Sequence, residues 1–224
     1  MRRAVRLSCT VVTRVRAPTI IFGGTFDPPH RMHVAMARAA ADALGARRIL
    51  VLPAAINPQR LAAPPTHPNH RLAMTRLAFA AEPRAEILDD EIRRSGPSFT
   101  IDTVRALLDE PALHMTQPLR LLIGSDQARN LGSWRAWREL VSIAEPAIVL
   151  RPPDTLASLP VMLAALLGET ESAWRQRILP IDPVDLAATS LRAELASGGA
   201  PADLDPAVLA YIRREGLYGR ESPA

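Results

Sequence analysis

The sequence predicts an α/β protein: a doubly wound parallel sheet with helices on both faces, in a single domain with a helical C-terminal part. Three observations predict it. Short apolar runs of strand length alternate with longer segments of helical spacing. Two of those runs end in glycine turns, Gly23-Gly24 and Gly124-Ser125-Asp126. A chain of 224 residues with 48% hydrophobic content can bury one substantial core and is short for two.

The elements follow in order. Residues 1–18 combine five arginines with short apolar pieces, and Arg14 and Arg16 break the run before an export segment can form. They read as a loosely ordered basic extension, with the domain spanning 19–224. The apolar run at 19–22 is a strand entering the first glycine turn. Residues 34–44, rich in Ala, Leu and Met, form a helix that stops at Gly45. A short buried strand at 48–53 precedes a proline-rich loop over 54–69. Residues 70–81 have helical spacing, and 86–88 form a brief strand. The turn Ser95-Gly96-Pro97-Ser98 introduces a helix over 100–109. A strand at 119–123 closes in the second glycine turn, and a tryptophan-bearing segment leads to a strand at 147–150. Residues 152–183 are mostly helical, and helices at 187–196 and 206–215 finish the chain.

Composition removes several classes of function. The formal charge is +4 and the pI about 10.4, yet all 27 basic residues are arginine. Together with abundant Ala and Pro this is a compositional bias. With only 4% aromatic residues it does not argue for nucleic-acid binding, and a small acidic substrate fits equally well. Cys9 is the sole cysteine, which excludes an intramolecular disulfide and a multi-cysteine metal site and suits a reducing cytosol. No stretch approaches the roughly 18 apolar residues of a membrane span.

The chemistry concentrates after the first strand. Gly23 and Gly24 let the backbone turn sharply and approach a ligand, and the following helix start favours an anion. His30 and His33, three apart, share a face of its first turn. They read as helix-cap or core residues, as a metal pair without a recognisable third ligand, or as donors to phosphoryl oxygens, which suit a helix N-terminus better. In such sheets ligands bind beyond the carboxyl ends of strands, where both glycine turns fall. Taken alone, Arg192 is a solvated helix arginine and Trp134 a packing residue, or a platform for a flat ring. Asp89-Asp90-Glu91 reads as a solvated run in an extended segment, and His67, His70 and His114 as exposed.

The sequence GGTFDPPHRMH resembles the GGxFDPxHxGH signature of the HxGH nucleotidyltransferase superfamily, whose fold is Rossmann-like. Gly96 to Thr103 resembles the GPSYTxDT segment of bacterial nicotinate-nucleotide adenylyltransferases. Leu122-Ile123-Gly124-Ser125-Asp126 with Trp134 and Trp137 resembles their IGxD and WxxW stretch, Ala187 to Arg192 their SSTxIR, and Tyr211-Ile212 to Leu217-Tyr218 their closing YIxxxxLY. The likeness runs in order through residues 19–218.

The resemblance implies transfer of AMP from ATP to nicotinate mononucleotide, giving nicotinate adenine dinucleotide and pyrophosphate in NAD biosynthesis, in the cytoplasm. It implies His30, His33 and Arg192 as catalytic donors to the triphosphate, and Gly23, Gly24, Thr25, Phe26 and Thr189 as ATP-binding. It places Arg60, Phe99, Thr100, Gly124, Asp126, Trp134, Arg135 and Arg151 around the nicotinate nucleotide. Trp134 would stack on the pyridine ring; Phe99, Thr100 and Arg135 would turn backbone N–H groups to its carboxylate. Mg²⁺ would come with ATP, without a dedicated protein cage, and neither nucleic acid nor membrane is implied as a partner. The chain departs from the pattern at Met32, at Gln59-Arg60 and at Ala187-Ala188. Rival readings are transfer to another phosphorylated acceptor such as phosphopantetheine, a nucleotide sensor in which Met32 blocks the reactive geometry, and an RNA-binding module.

Overall fold

The computed structural model describes residues 16–57, 65–94, 96–110, 118–182 and 188–219. Five strands form one sheet: β1 (Thr19–Gly24), β2 (Arg48–Pro53), β3 (Ala85–Ile87), β4 (Leu119–Gly124) and β5 (Ala144–Val149), in the order β3-β2-β1-β4-β5. Every pairing is parallel. The continuous apolar strands follow from burial on both faces, with successive side chains entering opposite layers. Ile20 and Phe22 of β1 enter one layer with Ile49, Val51 and Leu122, while Ile21 enters the other with Leu50, Leu52 and Leu121.

The first layer is closed by α1 (Arg31–Leu44), α2 (Pro68–Ala78), α9 (Ala188–Ala196) and α10 (Pro206–Arg214). The second is closed by α4 (Thr100–Asp109), α6 (Trp137–Ile143), α7 (Leu159–Leu167) and α8 (Glu171–Arg177), with Trp174 fully buried at its centre. The short helices α3 (Asp90–Arg94) and α5 (Ser125–Arg129) sit near the carboxyl ends of β3 and β4. Among the described residues, no helix is long and apolar enough to cross a membrane.

Several boundaries differ from the sequence expectation for local reasons. Helix α2 begins at Pro68, because His67 caps it by accepting from the Asn69 N–H (3.4 Å) and proline is well suited to the first helical position. Strand β5 starts at Ala144 although Pro146 lies inside it; β5 is at the sheet edge, where a missing donor is tolerated. The acidic run 89–91 is not extended: Asp90 and Glu91 open α3, and Glu91 is buried.

The strand order reverses between β1 and β4, and so does the direction of winding. Their pairing runs only from Thr19↔Leu119 to Ile21↔Leu121, whereas β1 stays paired with β2 to Gly24 and β4 with β5 to Gly124. The two central strands therefore part for their last residues, and a crevice opens there.

Candidate active site

Glycine shapes both walls of that crevice. A Cβ on Gly23 would meet no protein atom within 4 Å, so this position is bare toward open space. A Cβ on Gly24 would lie 3.0 Å from the Phe26 ring, and one on Gly124 would lie 2.4 Å from Asp126 Oδ1. Phe26 holds a left-handed φ of 49° and packs edge-on against Phe22 (5.3 Å) and His33 (5.0 Å), which fixes the loop between β1 and α1.

His30 is the N-cap of α1 rather than part of its first turn, and His33 is the third helical residue. The His30 N–H donates to His33 Nδ1 (3.2 Å), the His33 N–H donates to the His30 carbonyl (2.9 Å), and the Arg31 N–H donates to the Asp203 carbonyl (2.8 Å). These main-chain donors are spent inside the protein, so an anion here depends on side chains more than the sequence suggested. The two imidazoles stack with ring centroids 3.7 Å apart. With its Nδ1 accepting, His33 carries its proton on Nε2. His30 Nδ1 is buried and without a hydrogen-bond partner. Burial, with the nearby positive charge of Arg151, pushes the His30 pKa down to about 4. Burial, then His30 and Arg151, push His33 well below its ordinary value. Both rings are neutral at pH 7, each with one proton to donate.

Arg192 of α9 reaches the same wall: its Nη1 donates to the Asp27 carbonyl (2.7 Å) and its Nη2 to Thr189 Oγ1 (3.3 Å). Opposite, the Arg151 N–H donates to Ser125 Oγ (2.9 Å), and Arg151 Nε lies 3.7 Å from Asp126 Oδ1. Neither of those two buried side-chain atoms has a hydrogen-bond partner, so polar capacity remains on this wall. Gly23, Gly24, Thr25, Phe26, Asp27, His30, His33, Gly124, Asp126, Arg151, Thr189 and Arg192 all border this half of the crevice.

A second, more apolar half lies against the other face and is lined by Phe99, Thr100, Trp134, Arg135 and Glu91. Phe99 caps α4 and Thr100 is its first residue, so N–H groups of the opening turn face outward from a positive helix end. Trp134 packs on the second core layer and its Nε1 is buried without a partner. The Arg135 guanidinium stacks on Phe99 (5.0 Å) and donates to Asp102 (3.1 Å). Gly23, Gly24, Asn57 and Gln127 border both halves.

Residues 21–194 match the cytidylyltransferase-like family model. A probable nicotinate-nucleotide adenylyltransferase of Chromobacterium violaceum is 41% identical over 208 residues, covering 88% of this chain and 97% of the relative. That of Laribacter hongkongensis is 38% identical over 226 residues, covering 96% and 100%. The chain belongs to the nicotinate-nucleotide adenylyltransferase family. Its fold also matches the Plasmodium falciparum nicotinic acid mononucleotide adenylyltransferase solved with NaAD, with a TM-score of 0.70 at 18% identity over 91% of this chain and 98% of that one.

Within this family member, the positions singled out from sequence gather at one crevice, with a single exception: Arg60 lies outside the described residues, as does His114. Met32 packs against the first core layer and borders neither half of the crevice. His70 is taken up by Tyr211, its Nδ1 lying 2.9 Å from the hydroxyl.

Sequence reasoning missed Asp27, Asn57, Arg71, Glu91 and Gln127. Arg71 is fully buried and donates to three carbonyls, those of Thr66 (2.7 Å), Thr25 (2.7 Å) and Ala55 (2.9 Å), tying the β1 loop to the loop after β2. Its place among Leu72, Met74, Thr75 and Ala78 on the buried side of α2 was the available signal. Asn57 donates to Thr25 Oγ1 (3.2 Å), and Gln127 Oε1 accepts from the Gly124 N–H (3.4 Å); neither sits in a pattern that announces it.

Proposed function

We propose that this chain transfers AMP from ATP to nicotinate mononucleotide, forming nicotinate adenine dinucleotide and pyrophosphate for NAD biosynthesis, in the cytoplasm. The observation that carries the reading is a crevice in two halves meeting at Gly23-Gly24: one polar half with two imidazoles and two arginines, one apolar half with Trp134 beside a helix start. Triphosphate suits the first and a flat, negatively charged ring the second.

The phosphate of the mononucleotide attacks the α-phosphorus in line, and the bond to the β-phosphate oxygen breaks. Such a transfer needs two anions held together and the developing charge stabilised, with no covalent help from the protein. His30 and His33 donate to phosphoryl oxygens as neutral imidazoles, and a bound triphosphate raises their proton affinity as charge moves toward the leaving group. Arg192, oriented by the Asp27 carbonyl and Thr189, turns its remaining N–H groups to the β- and γ-phosphates. The bare face of Gly23 admits the reacting phosphates. Trp134 stacks on the pyridine ring, and the opening turn of α4 receives the carboxylate.

Mg²⁺ is carried by the triphosphate, where it neutralises phosphate charge. Among the described residues no group of three or more His, Cys, Asp or Glu could hold a metal ion. Asp27 accepts from Tyr218, and Asp126 faces Arg151.

The test is pyrophosphate release from MgATP with nicotinate mononucleotide and, in parallel, with the nicotinamide form. Turnover with the acid in clear preference to the amide supports the reading; ATP binding without turnover on either acceptor refutes it.

A further inference from the structure

The closing Leu217-Tyr218 has no part in the chemistry above, yet the Tyr218 hydroxyl reaches Asp27, which borders the site. Past α10, Gly216 turns the chain at φ 63°, the Leu217 N–H donates to the Ile212 carbonyl (3.0 Å), and Tyr218 follows at φ 59°. A left-handed φ is unusual for a bulky residue and persists where the surroundings hold the side chain in place. Here the hold is a hydrogen bond: Tyr218 OH donates to Asp27 Oδ1 at 2.6 Å, across 191 residues of sequence. Burial and the adjacent Asp27 push the phenol pKa upward, so it remains a donor. The other carboxylate oxygen, Oδ2, accepts from the Thr66 N–H (3.4 Å), so Asp27 is clamped from two sides. Its own carbonyl is what receives Arg192 Nη1 (2.7 Å).

From this chain of contacts, and resting on the assignment of Arg192 to the triphosphate, we infer that Tyr218 is a positioning residue: it fixes Asp27, whose carbonyl aims the Arg192 guanidinium into the ATP half of the crevice. The C-terminal turn thereby reports to the phosphate site without touching substrate.

A double-mutant cycle tests it, read by the calorimetric affinity for a non-hydrolysable ATP analogue and by kcat. Tyr218→Phe weakens analogue binding and lowers kcat by about tenfold, the loss of a hydrogen bond to a charged group, and leaves KM for nicotinate mononucleotide within about twofold. In an Arg192→Ala background the same change has less than about a twofold effect on analogue affinity. Asp27→Ala repeats the Tyr218→Phe result by removing the phenol's partner, and serves where Tyr218→Phe melts too low to assay. Equal losses with and without Arg192, a parallel rise in both KM values, or no loss at all overturns the inference. Analogue binding does not involve the acceptor, so failure of the assigned reaction is seen separately, as a wild-type protein that releases no pyrophosphate with nicotinate mononucleotide.

Discussion

A methyl group on Gly23 should slow the reaction while leaving the fold at least as stable. The backbone there lies in β1, paired to β2 through Gly23↔Leu52, and its φ is not left-handed, so alanine fits without strain. No protein atom lies within 4 Å of the new Cβ. Replacing glycine by alanine at such a site stabilises by about 0.4–1 kcal/mol through the unfolded chain. For a protein of this size that is roughly a 1–4 °C rise in Tm. The space the methyl enters is the junction of the two halves of the crevice, where the proposed reaction brings the phosphates together. Overfilling a close-packed site costs about 1–3 kcal/mol, or roughly 5- to 150-fold in kcat/KM for both substrates. Gly24→Ala is the control: its Cβ presses on the Phe26 ring at 3.0 Å, so stability and activity fall together. Thermal melts beside pyrophosphate-release kinetics measure both. A Gly23→Ala protein with wild-type kcat/KM and wild-type Tm would refute the placement of the reacting phosphates.

Three further outcomes are expected. Replacing His33 by Ala, or Arg192 by Ala, removes a preorganised donor and lowers kcat on the order of 100- to 1000-fold, measured by the same kinetics. Arg71→Met leaves the carbonyls of Thr25, Ala55 and Thr66 without their donor and destabilises by about 1–3 kcal/mol or more in denaturant titrations. The His30 pKa of about 4 lies below the ordinary 6.5, so between these values the unfolded chain holds a proton that the folded chain lacks. Stability on this account is undiminished above pH 6.5 and falls as pH drops toward 4, by on the order of 3 kcal/mol. His30→Gln should flatten that acid limb in melts between pH 7 and 4; an unchanged slope would show that His30 does not titrate as described.

How much of this was legible depended on how local the signal was. The strands announced themselves because burial on both faces leaves continuous apolar runs such as Ile20-Ile21-Phe22 and Leu121-Leu122-Ile123, and the Gly45 stop of α1 is a one-residue signal. His30, His33 and the glycines were visible because one short loop carries them. Helix α3 was hidden because acidic residues read as solvated, while Thr103 Oγ1 donates to Glu91 Oε1 (2.7 Å) in the interior. Burial there pushes the Glu91 pKa up. Arg71 was hidden by its residue type: a buried arginine is rare, and only the carbonyls brought to it from three separate segments make it stable. Asp27 and Tyr218 stand in recognisable motifs, but their contact exists only after the last helix has docked against the first glycine loop. Asn57 and Gln127, single amides at loop and helix positions, gave no pattern to read.

The proposed reaction turns on whether the stacked imidazoles face the triphosphate. A crystal structure with a non-hydrolysable ATP analogue tests it most directly. His30 and His33 nitrogens, with Arg192, should lie within about 3.2 Å of phosphate oxygens above Gly23. Phosphates bound elsewhere, with both rings still packed only against each other and Phe26, would contradict it.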